Sequence, residues 1–105
     1  MAVHVAGLLF APIDEAAAAS NEIVAAVAGQ RIFVTSVVLV SSAANTLTWQ
    51  SSATALSGAM SFAANGGYAL GDGGLPLMVT ASGEALNLLC SAADQVSGHI
   101  SYFLA

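Results

Sequence analysis

Apolar and polar residues alternate with a period of two over much of this chain. In "TLTWQS", Leu47 and Trp49 fall on one side while Thr46, Thr48 and Gln50 fall on the other. In "QVSGHISYFL", Val96, Ile100, Tyr102 and Leu104 alternate with Ser97, His99 and Ser101. Successive strand side chains point to opposite faces, so both segments predict half-buried strands of an antiparallel sheet. The stretch "RIFVTSVVLV" differs, being apolar on both parities: Ile32, Val34, Val38 and Val40 on one, Phe33, Val37 and Leu39 on the other. Its β-branched and aromatic residues predict a strand covered on both sides rather than a helix.

Turn-forming clusters recur at short intervals, at 28–30, 41–45, 57–58, 64–67, 71–74, 82–84 and 91–95. Short strands between regular turns indicate an all-β domain. The pattern predicts strands near Val3–Phe10, Asn21–Val27, Arg31–Val40, Thr46–Ser51, Ala53–Leu56, Met60–Ala63, Tyr68–Leu70, Leu77–Thr80 merged with Leu86–Cys90, and Val96–Leu104. Residues 14–28 admit two readings. Asp14, Glu15 and the run of alanines up to Gly29 suit a helix with a cap and a stop, whereas "EIVAAVAGQRIFV" reads as a hairpin turning at Ala28–Gly29, the reading preferred here. One domain, 1–105, accommodates the whole chain, with residues 1–20 as an N-terminal arm or extra strand.

In a two-sheet sandwich only one face of a strand meets the core, so the second apolar face of 31–40 needs a cover. A second copy of the chain is the expected cover, with Phe33, Val37 and Leu39 as the candidate oligomer interface. Composition points the same way: 57% of residues are hydrophobic and 7% charged, against about 25% charged in ordinary domains. Six acids face one base, Arg31, for a net charge of −5. Nucleic-acid binding needs clustered Lys and Arg, and so does attraction to an anionic membrane surface. Neither partner is expected. A membrane helix is excluded at 32–50 by Thr35, Ser36, Ser41, Ser42, Asn45, Thr46, Thr48 and Gln50. The N-terminus lacks a basic start and carries Pro12, Asp14 and Glu15 where a signal-peptide cleavage region would lie, so no targeting segment is expected.

Candidate chemistry is sparse. Ser, His4, His99, Asp72 and Asp94 could compose a triad in principle, but no G-x-S-x-G pattern positions a nucleophile. The two histidines are far apart, Cys90 has no C-x-x-C partner and no H-E-x-x-H occurs, so neither a metal nor a cofactor is expected. "GDGG" reads as a tight turn rather than a calcium loop. The glycines of "ANGGYALGDGG" lack the Lys of a phosphate cradle. Trp49 could stack on a sugar, though an alternating Trp is ordinarily core. Cys90, among "LNLLCSAA", reads as a buried, inert thiol, as in a chain made in the cytoplasm. A non-enzymatic protein is expected.

The segments "ALSGAMSFAANGG" (Ala55–Gly67), "GEALNL" (Gly83–Leu88) and "VSGHISY" (Val96–Tyr102) resemble small virion proteins of tailed bacteriophages. The resemblance extends from Asn21 to the C-terminus. It implies an antiparallel jelly-roll β-sandwich of about eight or nine strands, assembled as a TNF-like homotrimer. It further implies a head decoration, or cement, protein, made in the host cytoplasm and bound to the major capsid protein on the outer surface of the virion. Its alternative is a receptor- or glycan-binding module of a fibre or spike. The single Arg31 departs from such modules, which often carry more bases. Residues 1–20 lie outside the resemblance, and Val3, Val5, Leu8, Leu9 and Phe10 are the candidate capsid-contacting arm.

Overall fold

The computed structural model describes residues 7–71, 73 and 75–105. Among the described residues there are ten strands: β1 (Leu9–Glu15), β2 (Ser20–Val24), β3 (Ile32–Ser41), β4 (Asn45–Ser51), β5 (Thr54–Ala55), β6 (Met60–Phe62), β7 (Gly67–Gly71), β8 (Met78–Val79), β9 (Leu86–Cys90) and β10 (Val96–Leu104). One sheet runs β1-β10-β3-β7, with β8 also on β3; the other runs β2-β9-β4-β5, with β6 also on β4. The two antiparallel sheets pack as a sandwich. The chain crosses between sheets at every step from β1 to β4, which gives the jelly-roll order that the resemblance implies. Among the described residues no helix is long and apolar enough to cross a membrane.

Between the sheets lies a core with Ile13, Ile32, Val34, Val37, Leu39, Val96 and Ile100 from the first sheet and Leu47, Trp49, Leu86, Leu88 and Cys90 from the second. Each large side chain removed from water here contributes about 1.5–3 kcal/mol. β4 obeys the period of two from end to end, with Asn45, Leu47, Trp49 and Ser51 all buried. Its two polar ends are satisfied. Asn45 accepts hydrogen bonds from the Ala92 N–H and the Ser91 hydroxyl and donates to the Ala92 carbonyl, while the Ser51 hydroxyl donates to Glu84 at 2.6 Å. β10 and β7 press against β3 from both sides at Val38–Leu39. A Cβ on Gly98 would lie 1.8 Å from the Val38 carbonyl oxygen, and one on Gly67 would lie 2.0 Å from that of Leu39. Only glycine fits at either point.

β3 contains the main departure from the sequence pattern. Val34 pairs with Tyr102 and Ser36 with Ser101, so Thr35 is the extra residue of a β-bulge. That insertion reverses the parity of the strand. Ile32 and Val34 point into the core before it and Val37 and Leu39 after it, each at most 1% exposed. The grouping of Phe33 with Val37 and Leu39 as one outward face is therefore corrected: Val37 and Leu39 are core, and the outward residues are Phe33, Val38 and Val40.

Three other expectations change. The strand placed at Val3–Phe10 lies instead at Leu9–Glu15, and Val3 and Val5 fall outside the described residues. Asp14 is part of that strand, paired opposite Ser97 rather than capping a helix. β2 pairs with β9 and not with β3, so the hairpin at 28–29 does not form. Leu88 and its neighbours on β9 give β2 its ladder, and the chain then crosses to the other sheet to bury β3. The connection over 16–19 is closed by Asn21, whose amide donates to the Ala17 and Ala19 carbonyls at 3.1 Å. Finally, Leu77–Thr80 and Leu86–Cys90 belong to different sheets, which raises the strand count to ten.

Candidate functional site

The two outer faces of the sandwich differ in chemistry. On the second sheet β4 presents Thr46, Thr48 and Gln50, and Ser20 and Ser61 flank them; Ser20 donates to Gln50 at 2.7 Å and Thr46 lies 3.4 Å from Ser61. These are groups that water solvates well. The outer face of the first sheet is mostly apolar. Cross-strand pairing sets Phe33 opposite Phe103 and Val79, Val38 opposite His99 and Ala69, and Phe10 opposite Ser101.

Phe33 and Phe103 stack with ring centroids 4.8 Å apart and planes within 3°. Phe10 is 70% exposed and Val40 46%. The bulge places three hydroxyls in the middle of this face: Thr35 and Ser101 share a hydrogen bond of 2.7 Å, and Ser36 bonds the same Ser101 oxygen. Thr35 and Ser101 are already buried, and the two bonds use two of the three hydroxyl protons, which lowers the cost of keeping these groups away from water. Charge sits toward the ends. Asp14 pairs opposite Ser97, where its carboxylate accepts from Gln95 at 2.7 Å, and Arg31 bonds Ala105 at the far end of the β3–β10 ladder. Apolar residues surround this hydroxyl cluster while the Asp14 carboxylate and Arg31 lie toward the ends, and depletion of charge at the centre is a feature of protein interfaces.

Of the residues singled out from sequence, Phe33 lies on this face, while Val37 and Leu39 do not. Leu9 and Phe10 begin β1 as exposed residues and Leu8 is half-buried just before it, so the described part of the proposed arm is continuous with the same sheet. Val38, Val40, Val79 and Phe103 were missed. The signal for Val38 and Val40 was present as an apolar excess but assigned to the wrong parity, and Val79 and Phe103 were not singled out. Trp49 is 1% exposed, so its ring is not presented on the surface as a platform for a sugar. Cys90 is buried, and that burial pushes its thiol pKa upward, partly offset by the Asn21 amide 3.4 Å from the sulfur. His99 stands on the outer face of β10, and among the described residues no three of His, Cys, Asp and Glu converge on a point. The chain matches no family model, and no curated protein or solved structure matches it either.

Proposed function

We propose that this chain is a structural module that assembles with itself as a homotrimer through the outer face of the β1-β10-β3 sheet, and that it acts by binding rather than by catalysis. The observation that carries the reading is the contrast between the two outer faces. Thr46, Thr48, Gln50, Ser20 and Glu22 make up most of one, with Leu89 as its exposed apolar residue, while the other carries Phe33, Phe103, Val38, Val40 and Phe10. A soluble monomer exposing such a patch would associate, since large apolar patches mark interaction surfaces.

The resemblance to tailed-phage virion proteins supplies the setting: decoration of the outside of a capsid, against the major capsid protein. A net charge of −5 suits a position away from packaged DNA. In this role the trimer is a clamp. Seated where capsid subunits meet, it buries further apolar area, and the stabilisation is multiplied over many copies. The exposed start of β1, at Leu9 and Phe10, is the part available to grip a neighbour.

Light scattering over a dilution series tests the assembly. A species near three times the 10.4 kDa chain mass is expected, and Val40→Lys is expected to give a folded monomer, because the side chain already reaches solvent and its replacement costs the core nothing. A wild-type chain that stays monomeric at all concentrations would overturn the assembly. A trimer that fails to co-sediment with expanded capsids would overturn the setting alone.

A further inference from the structure

Each sheet of the sandwich ends on an interrupted edge. β5 and β6 share one edge of β4, pairing at Gln50–Ser51 and Asn45–Leu47. β7 and β8 share one edge of β3, pairing at Ser36–Val40 and Phe33–Val34. Between these pairs both ladders are interrupted, the first over 56–59 and the second between the end of β7 and the start of β8. Where the breaks meet, the sheets border a cavity of about 370 Å³ that opens to solvent. Its floor is Val37 of β3 and Trp49 of β4, and residues of both breaks form the walls.

Three features define what the cavity suits. It is sized for a small molecule: benzene occupies a cavity of about 150 Å³, so this one holds about ten to fifteen non-hydrogen atoms. Met60 and Met78 in the walls are unbranched and adaptable, as at surfaces that accept varied apolar shapes. Its polar content is nearly all committed. The Ser57 hydroxyl accepts from the Trp49 backbone N–H and donates to the Gly58 carbonyl. The Tyr68 hydroxyl accepts from the Trp49 indole N–H at 2.9 Å, and among the described residues no side chain or carbonyl takes its proton. Among the described residues of the lining, one donor therefore remains free and no side chain is charged. The only base of the chain, Arg31, is not in the lining, so an anion entering it would be desolvated without a counter-charge.

We infer that this cavity binds one small uncharged molecule with an apolar body and a single hydrogen-bond acceptor, of the class of medium-chain aliphatic ketones and esters, its oxygen bonded by Tyr68. This activity is independent of self-assembly and needs only the folded chain.

Trp49 is the single tryptophan of the sequence, so its emission reports on the cavity floor directly. Titrating the full chain with nonan-2-one should change that emission saturably at one molecule per chain. Octanoate, of similar length but charged, should bind at least about tenfold more weakly. Leu70→Phe, which enlarges a 54% exposed residue of the lining, should abolish the response while leaving the urea midpoint in place. Tyr68→Phe should weaken nonan-2-one about three- to tenfold. No saturable response up to about 1 mM, or a response that survives Leu70→Phe, would overturn the site. Full affinity in Tyr68→Phe would overturn the role of the hydroxyl. The solution mass should stay constant through the titration; a fall in mass would mean that a neighbouring copy fills the cavity and would overturn the small-molecule reading.

Discussion

Tyr68 and Cys90 are the two side chains through which this fold senses alkali. Burial raises the Tyr68 phenol above its ordinary value of 10.0, with the Trp49 bond acting in the opposite direction. Burial likewise raises the Cys90 thiol above 9.0, against the lowering effect of Asn21. Both groups thus hold their protons more tightly when folded. Above about pH 9 the unfolded chain sheds protons that the folded chain keeps, so the unfolding free energy falls with rising pH until the folded groups titrate too. Below that range neither group affects stability. Urea midpoints measured from pH 7 to pH 11 should fall only on the alkaline side, and Cys90→Ala and Tyr68→Phe should each flatten part of that fall. A decline unchanged in both variants would place its origin elsewhere.

Among the elements, β3 carries most of the specification, and it turns on Thr35. Removing that residue would join Val34 directly to Ser36 and invert the remainder of the strand. Val37 and Leu39 would leave the core, and Val38 and Val40 would enter at positions shaped for other side chains. The loss of two buried side chains is worth about 3–6 kcal/mol, a large share of the 5–15 kcal/mol that holds a typical domain together. The expected outcome is the disappearance of a cooperative thermal transition in Trp49 fluorescence, and a variant that still melts cooperatively would show that the bulge can relocate. The same residue explains what the sequence could not reveal. Over β4 and β10 polar residues mark one parity, so the strands and their buried faces are legible. Over 32–40 both parities are apolar, and Thr35 and Ser36 place one polar residue on each parity, so nothing marks Thr35 as the inserted residue. Phe33 was legible as outward because it precedes the bulge, and Val37 and Leu39 were misplaced because they follow it. The hairpin expected at 28–29 failed for a different reason: local turn chemistry is compatible with a return in the same sheet or a crossing to the other, and only β9, distant in sequence, decides between them. The cavity was beyond reach for that reason too, since it depends on two edge interruptions meeting in space.

At the scale of the whole molecule, assembly must work against charge. Every added copy brings a net −5, and the proposed interface is apolar, so salt should favour association by screening repulsion. Raising ionic strength from about 0.01 to about 1 M shortens the Debye length from about 30 to about 3 Å, and the trimer should persist to lower protein concentration across that range in sedimentation equilibrium. Dissociation by salt would instead indicate that pairs such as Asp14 with Arg31 of a neighbour hold the copies together. The outer strands bear on a different hazard of crowding many β-rich chains together. β1 carries Pro12, which has no N–H to offer; β2 is irregular between Glu22 and Val24; and the remaining two borders are each split into short pieces of two to five residues. Among the described residues none presents the long unbroken ladder on which amyloid growth is templated, so in the proposed assembly the edges offer crowded copies little to pair with strand to strand.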